Sequence, residues 1–131
     1  VTPPRILEGE GFRIYLSQEA GYLRAQVGDG CDSQAVSVAY WTLLGNLCRE
    51  TGTTRLLVVE TLQDTVELTE IQPVIDAMVA SGLQAVRIAF VELLDDLEGS
   101  EYGEILCRER GITIRTFNDE QTARHWLLYG Q

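Results

Sequence analysis

The residues best placed to do chemistry in this sequence are carboxylates. Glu60 and Glu92 end two apolar runs, Arg55-Leu-Leu-Val-Val-Glu60 and Ala85-Val-Arg-Ile-Ala-Phe-Val-Glu92, and Asp64, Asp95, Asp96 and Glu98 follow them along the chain. If those runs are buried strands of an open α/β sheet, ligands are expected beyond their carboxyl ends, where hard oxygen donors suit a divalent cation. The same spacing also describes an acidic loop edge turned to water. A receiver-type phosphoacceptor site needs a lysine beside its carboxylates, and all ten basic residues here are arginine. Schiff-base chemistry and a P-loop ammonium are excluded on the same ground.

The remaining reactive residue types form no constellation. His125 is the single histidine and has neither a second imidazole for a metal nor a serine or cysteine in a catalytic motif, so a structural role is expected. Cys31, Cys48 and Cys107 are far apart and form no CxxC pair, which argues against structural zinc and for a reducing compartment. Gly28-Asp-Gly30 carries two glycines of a dinucleotide-binding turn without the rest of it. The expectation is therefore a non-enzymatic chain with no cofactor and no metal site.

A formal net charge of −10 makes nucleic acid and anionic lipid poor partners. No apolar run approaches the roughly 18–20 residues that span a bilayer, so no membrane insertion is expected. The first residues, Val1-Thr-Pro-Pro, lack the basic and apolar regions of a secretory signal. A cytoplasmic location follows as the expectation. At 131 residues the chain suits one domain that buries its own core.

The elements that must position the carboxylates follow from periodicity. Residues 1–10 read as a loosely ordered segment. Phe12–Leu16 and Tyr22–Val27 alternate as an antiparallel hairpin. A helix over Ser33–Thr51 is predicted with Asp32 or Ser33 as N-cap and Gly52 as its stop. Arg55–Glu60 reads as a strand buried on both faces. A helix over Thr69–Ser81 has capping-box spacing at Thr69 and Gln72, followed by a second buried strand at Ala85–Val91. Beyond an acidic loop at Leu93–Gly99, a helix over Ser100–Arg110 turns Tyr102, Ile105 and Leu106 inward. A strand at Ile112–Phe117 leads to a closing helix begun by Asn118, with Ala123, Trp126 and Leu127 inward. The fold class is α/β: a mixed sheet of about five strands, an N-terminal hairpin and then parallel strands, covered by about four helices.

This order, with the strings Arg55-Leu-Leu-Val-Val, Arg87-Ile-Ala-Phe-Val, Cys107-Arg-Glu-Arg-Gly-Ile112 and Arg115-Thr-Phe-Asn-Asp-Glu-Gln-Thr-Ala-Arg-His-Trp-Leu127, resembles the SpoIIAA-like family, relatives of the STAS domains of anti-sigma-factor antagonists. The resemblance runs from about Phe12 onward. It implies a β-β-α-β-α-β-α-β-α arrangement and a non-enzymatic, bacterial regulatory or scaffold domain working through protein-protein contact. Phosphorylated STAS antagonists carry a serine in an Asp-Ser-Ser/Thr-Gly-type motif after the third strand. Here that region reads Gln63-Asp-Thr-Val-Glu-Leu-Thr69, which makes Thr65 the nearest candidate phosphoacceptor, without the adjacent hydroxyl residue and the glycine.

The first helix supplies a candidate contact surface. At roughly 100° per residue Val36, Tyr40, Leu43 and Leu47 share one side, with Trp41 and Cys48 about 120° or more away. Either the helix packs into a wide core, or Tyr40, Trp41 and Leu44 form an exposed apolar shoulder for a protein partner or a second copy in a homodimer. The alternative function is a small apolar-ligand or lipid-binding module, since related α/β folds include CRAL-TRIO-type lipid carriers. It requires a cavity of about 300 Å³ between helices and sheet. A metal-dependent hydrolase at the acidic strand ends is the third reading.

Overall fold

The computed structural model describes residues 5–93 and 97–130. Asp95 and Asp96 lie outside the described residues, as does the side chain of Glu98. One six-stranded sheet runs through the molecule in strict chain order: β1 (Arg5–Gly9), β2 (Phe12–Glu19), β3 (Tyr22–Gly28), β4 (Arg55–Glu60), β5 (Arg87–Glu92) and β6 (Thr113–Phe117). β1, β2 and β3 are antiparallel neighbours, and β3 to β6 pair in parallel.

Each parallel step is bridged by a helix: α1 (Gln34–Thr51), α2 (Gln72–Ala80) and α3 (Leu97–Glu109). Crossovers of one hand between strands laid side by side in chain order put every connecting helix on the same face. The main core lies there, where Ile14, Val27, Leu56, Val58 and Ile88 meet Tyr40, Trp41, Leu44, Ile75, Met78 and Cys107. The closing helix α4 (Glu120–Tyr129) covers the opposite face, where Leu57, Val59, Ala89 and Val91 pack on Ala123, Trp126 and Leu127. β4 therefore sends alternate side chains into two cores, which is why its sequence is apolar without a break.

Several boundaries differ from expectation for local reasons. Arg5–Gly9, expected to be loose, forms an edge strand held by pairing with β2, with Ile6 left 57% exposed. Its pattern is too short to register as alternation. The Thr69 capping box does not form, because Leu68–Glu70 is a 3₁₀ turn and α2 starts at Gln72 with Pro73 in its first turn and no side-chain cap. α3 begins at Leu97, inside the expected loop. The α4 cap is Asp119, whose carboxylate accepts from Thr122 N at 2.8 Å, rather than Asn118.

Close approach sets the helix geometry over the sheet. A Cβ on Gly45 would collide with the Ser81 side chain, so only glycine lets α1 come this near the end of α2. The buried Ser81 hydroxyl turns back to Met78 O at 3.3 Å. α4 is tied down at both ends, by Arg24 paired with Glu120 at 2.7 Å and by Arg87, which donates to Trp126 O and Gly130 O at 2.9 Å.

Candidate ligand-binding cleft

The pairing register brings Glu60 opposite Glu92 at the ends of β4 and β5. Side chains alternate, so the rule that turns Leu56, Val58, Ile88 and Phe90 toward the helices carries Glu60 and Glu92 to that face as well. α1, α2 and α3 roof this edge and leave a cleft above the strand ends. Its walls are apolar, including Trp41, Ile71, Val74, Met78 and Phe90, and its polar lining includes Asp32, Glu60, Glu92 and Glu104.

The loops after β3 and β4 are zipped together, which fixes Asp32 over the site. Thr61 N donates to Val27 O at 2.8 Å, Gln63 N to Gly30 O at 3.0 Å and Asp32 N to Gln63 O at 2.6 Å. Gly30 is required here because any Cβ would run into the Gly11 carbonyl. Asp32 Oδ1 accepts from Ser33 N at 2.8 Å and from the Ser37 hydroxyl at 2.6 Å. Burial raises the Asp32 carboxyl above its usual range, and these hydrogen bonds offset part of the rise.

Glu60 has no such support. It is 6% exposed, and among the described residues no hydrogen bond reaches its carboxyl. Burial first, then the neighbouring Asp32 and Glu92, push it up to about 9. At neutral pH it is an uncharged acid, with one O–H to donate and one carbonyl to offer. Its neighbours are better satisfied: Ser100 Oγ donates to Glu92 Oε2 at 3.1 Å, and Glu104 Oε1 accepts from Thr116 N at 2.5 Å on β6.

Gly99 and Gly103, one turn apart on α3, also line the cleft. A glycine inside a helix lowers stability by about 1 kcal/mol relative to alanine. A Cβ on Gly103 would meet nothing within 4 Å, so the bare backbone there leaves space open.

Of the two arrangements open for α1, the wide core is the one found, and the candidate contact shoulder is not a surface. Tyr40 is 2% exposed, Trp41 4% and Leu44 0%. The buried stripe of α1 runs through Ser37, Tyr40, Trp41, Leu44, Gly45 and Cys48, while Leu43 turns outward. The helix packs into a wide core, and Tyr40 and Trp41 reach the cleft from inside. α3 is likewise rotated from expectation: Tyr102 and Ile105 are exposed, and Gly103, Glu104 and Cys107 face the cleft.

Of the acidic residues, Glu60 and Glu92 come together, whereas Asp64 stands at an adjoining polar hollow in the left-handed conformation with φ of 61°. Thr65 is exposed at the lip shared by hollow and cleft. Among the described residues no group of three or more histidine, cysteine, aspartate or glutamate side chains is arranged to hold a metal. His125 is exposed on α4 beside Tyr129. Burial pushes the Cys48 thiol up to about 11, and burial with the nearby Glu104 carries Cys107 to about 12, so neither supplies a thiolate nucleophile at neutral pH.

No family model, curated protein or solved structure matches this chain. Its own geometry is what bears on function. The cleft has a volume of about 110 Å³, less than the roughly 300 Å³ at which drug-sized pockets begin. It is too small to enclose a lipid chain and suits a group near the size of the aromatic ring that fills a cavity of about 150 Å³. Sequence reasoning missed Asp32, weighed only as a helix cap, together with Glu104 and Gly103. The Gly-x-x-x-Gly spacing at Gly99 and Gly103, on one helix face, was the available signal.

Proposed function

We propose that this chain is a small-ligand-binding domain, that its site is the cleft between α1, α2, α3 and the ends of β4 and β5, and that it works by binding rather than turnover. The observation that carries this reading is Glu60, a buried carboxyl without a hydrogen-bond partner among the described residues, lining a mainly apolar cleft. A ligand in the cleft meets a carboxyl that no protein group engages among the described residues, and the apolar walls supply the rest of the affinity.

Binding is favoured over catalysis by what surrounds the carboxyl. The two cysteines nearest the core have thiols raised far above neutrality, and the polar lining is carboxylates and hydroxyls without an imidazole or a cation among the described residues. The protein-contact reading loses its proposed surface with the burial of Tyr40, Trp41 and Leu44. The regulatory role implied by the SpoIIAA-like resemblance would be exercised here through occupancy of the cleft, which α2 and α3 line.

A ligand-observed NMR screen of small polar and ring-containing fragments tests the proposal, run on the wild type and on Gly103→Leu, whose side chain occupies the open space. Fragments that bind the wild type and not the variant support it. No binder, or equal binding to both proteins, overturns it.

A further inference from the structure

The charge pattern of the cleft narrows the ligand class, on the footing of the binding role just proposed. Four carboxyl groups line it, Asp32 from the loop before α1, Glu60 from β4, Glu92 from β5 and Glu104 from α3, and no arginine or histidine does among the described residues. Ion pairs among the described residues join Arg13 with Glu8 and Asp29, Arg24 with Glu120, and Arg110 with Asp76, away from the cleft. Acidic side chains with no cation among them describe half of a complementary pair.

The walls describe the other property of the occupant. Tyr40, Trp41 and Phe90 stand in a row, with ring centroids 5.2 Å apart for the first pair and 5.7 Å for the second. Aromatic faces attract a positive charge, most strongly where water is excluded. A bare metal ion gains nothing from Val74, Ile75 and Met78, whereas a cation with a short hydrocarbon body fits both parts of the lining. From these features we infer that the cleft binds a small organic cation, an alkyl- or arylammonium group, whose charge sits at Glu60 against the aromatic row.

Entry of the cation has a proton consequence. Glu60 is protonated in the empty cleft at neutral pH because of burial and the adjacent Asp32 and Glu92. The titratable groups facing it are Asp32, Tyr40 from α1, Glu92 from β5, and Glu104 and Cys107 from α3, while α2 contributes only apolar side chains to the lining. Tyr40 and Cys107 are both held neutral well above pH 7. The exchange is therefore Glu60–COOH plus R–NH₃⁺ giving Glu60–COO⁻ paired with R–NH₃⁺, the carboxyl O–H bond breaking and its proton passing to water.

The experiment uses n-butylammonium, 1-butanol and butyrate as probes of matched size and different charge. The Trp41 indole resonance reports occupancy, and calorimetry in two buffers of different protonation enthalpy counts protons. The expected result is that butylammonium binds about tenfold tighter than 1-butanol, with close to one proton released at pH 7. Glu60→Gln keeps the fold, abolishes the release and weakens the ammonium to the level of the alcohol. Equal or tighter binding of 1-butanol or butyrate overturns the cation inference and leaves the binding role standing. If none of the three moves the Trp41 resonance, both fail.

Discussion

Glu60 and Glu92 are register partners at the ends of adjacent parallel strands, and both turn toward the helices. Burial, with Asp32 and Glu92 close by, disfavours a charge on Glu60. The deeper of the two register partners, Glu60, keeps its proton.

That proton makes stability depend on pH. Glu60 rises from an ordinary value of 4.5 to about 9 in the folded chain. Below 4.5 both states hold the proton, and its contribution to the fold is fully present. Between 4.5 and 9 the unfolded chain releases a proton that the native state retains, so this contribution is lost as pH rises through the window. The loss is no more than about 6 kcal/mol when complete. Urea denaturation at pH 5, 7 and 8.5 is expected to show wild-type stability falling relative to Glu60→Gln, and parallel curves for the two proteins refute the protonated state.

Gly103→Leu is expected to raise stability while abolishing ligand capture. Replacing an interior helical glycine gains about 1 kcal/mol from propensity, and the space around the new Cβ is empty. The thermal midpoint should rise by a few degrees, roughly 2–6 °C for a domain of this size. A fall of the midpoint contradicts the open space assigned to this position.

Arg87 secures the last helix through three contacts. Its guanidinium lies 3.9 Å from the Trp126 ring centroid and donates to the carbonyls of Trp126 and Gly130, at the negative end of α4. Nε is buried without a partner among the described residues, which subtracts from the gain. Arg87→Ala is expected to lower stability by about 2–3 kcal/mol, measured by denaturant titration. Arg87→Lys should recover less than half, since an ammonium cannot stack and fork at once.

The thiols should separate cleanly in a disulfide-exchange assay on the native protein at pH 8. Cys31 is exposed, whereas Cys48 and Cys107 are buried and held as thiols. One fast equivalent per chain is expected, and three on addition of denaturant. Two or more fast equivalents would mean that α1 or α3 opens readily.

The fold was legible because its signals are local and repeated. The two continuous apolar runs at β4 and β5, the glycine stop at Gly52 and the period of α1 each specify an element without knowledge of the others. β1 was not, because an edge strand is held by its neighbour's backbone and needs no pattern of its own. The site was half legible. Glu60 and Glu92 announce themselves by ending apolar runs, but Asp32 reaches them only through the zipped loops after β3 and β4, a contact between segments about thirty residues apart. Tyr40 and Trp41 were left between core and surface because a helical wheel gives angles within one helix. Which angle is inside depends on sheet, α2 and α3 together, and here the buried stripe was wide enough to take in both rings.

The most direct measurement is the ¹³C titration of the Glu60 carboxyl between pH 3 and 10, assigned by comparison with Glu60→Gln and repeated with a fragment bound. A midpoint near 9 in the free protein that moves when the cleft is filled is the result predicted by a buried, unpartnered acid awaiting a ligand. A midpoint near 4.5, or one that no bound fragment shifts, would contradict the account.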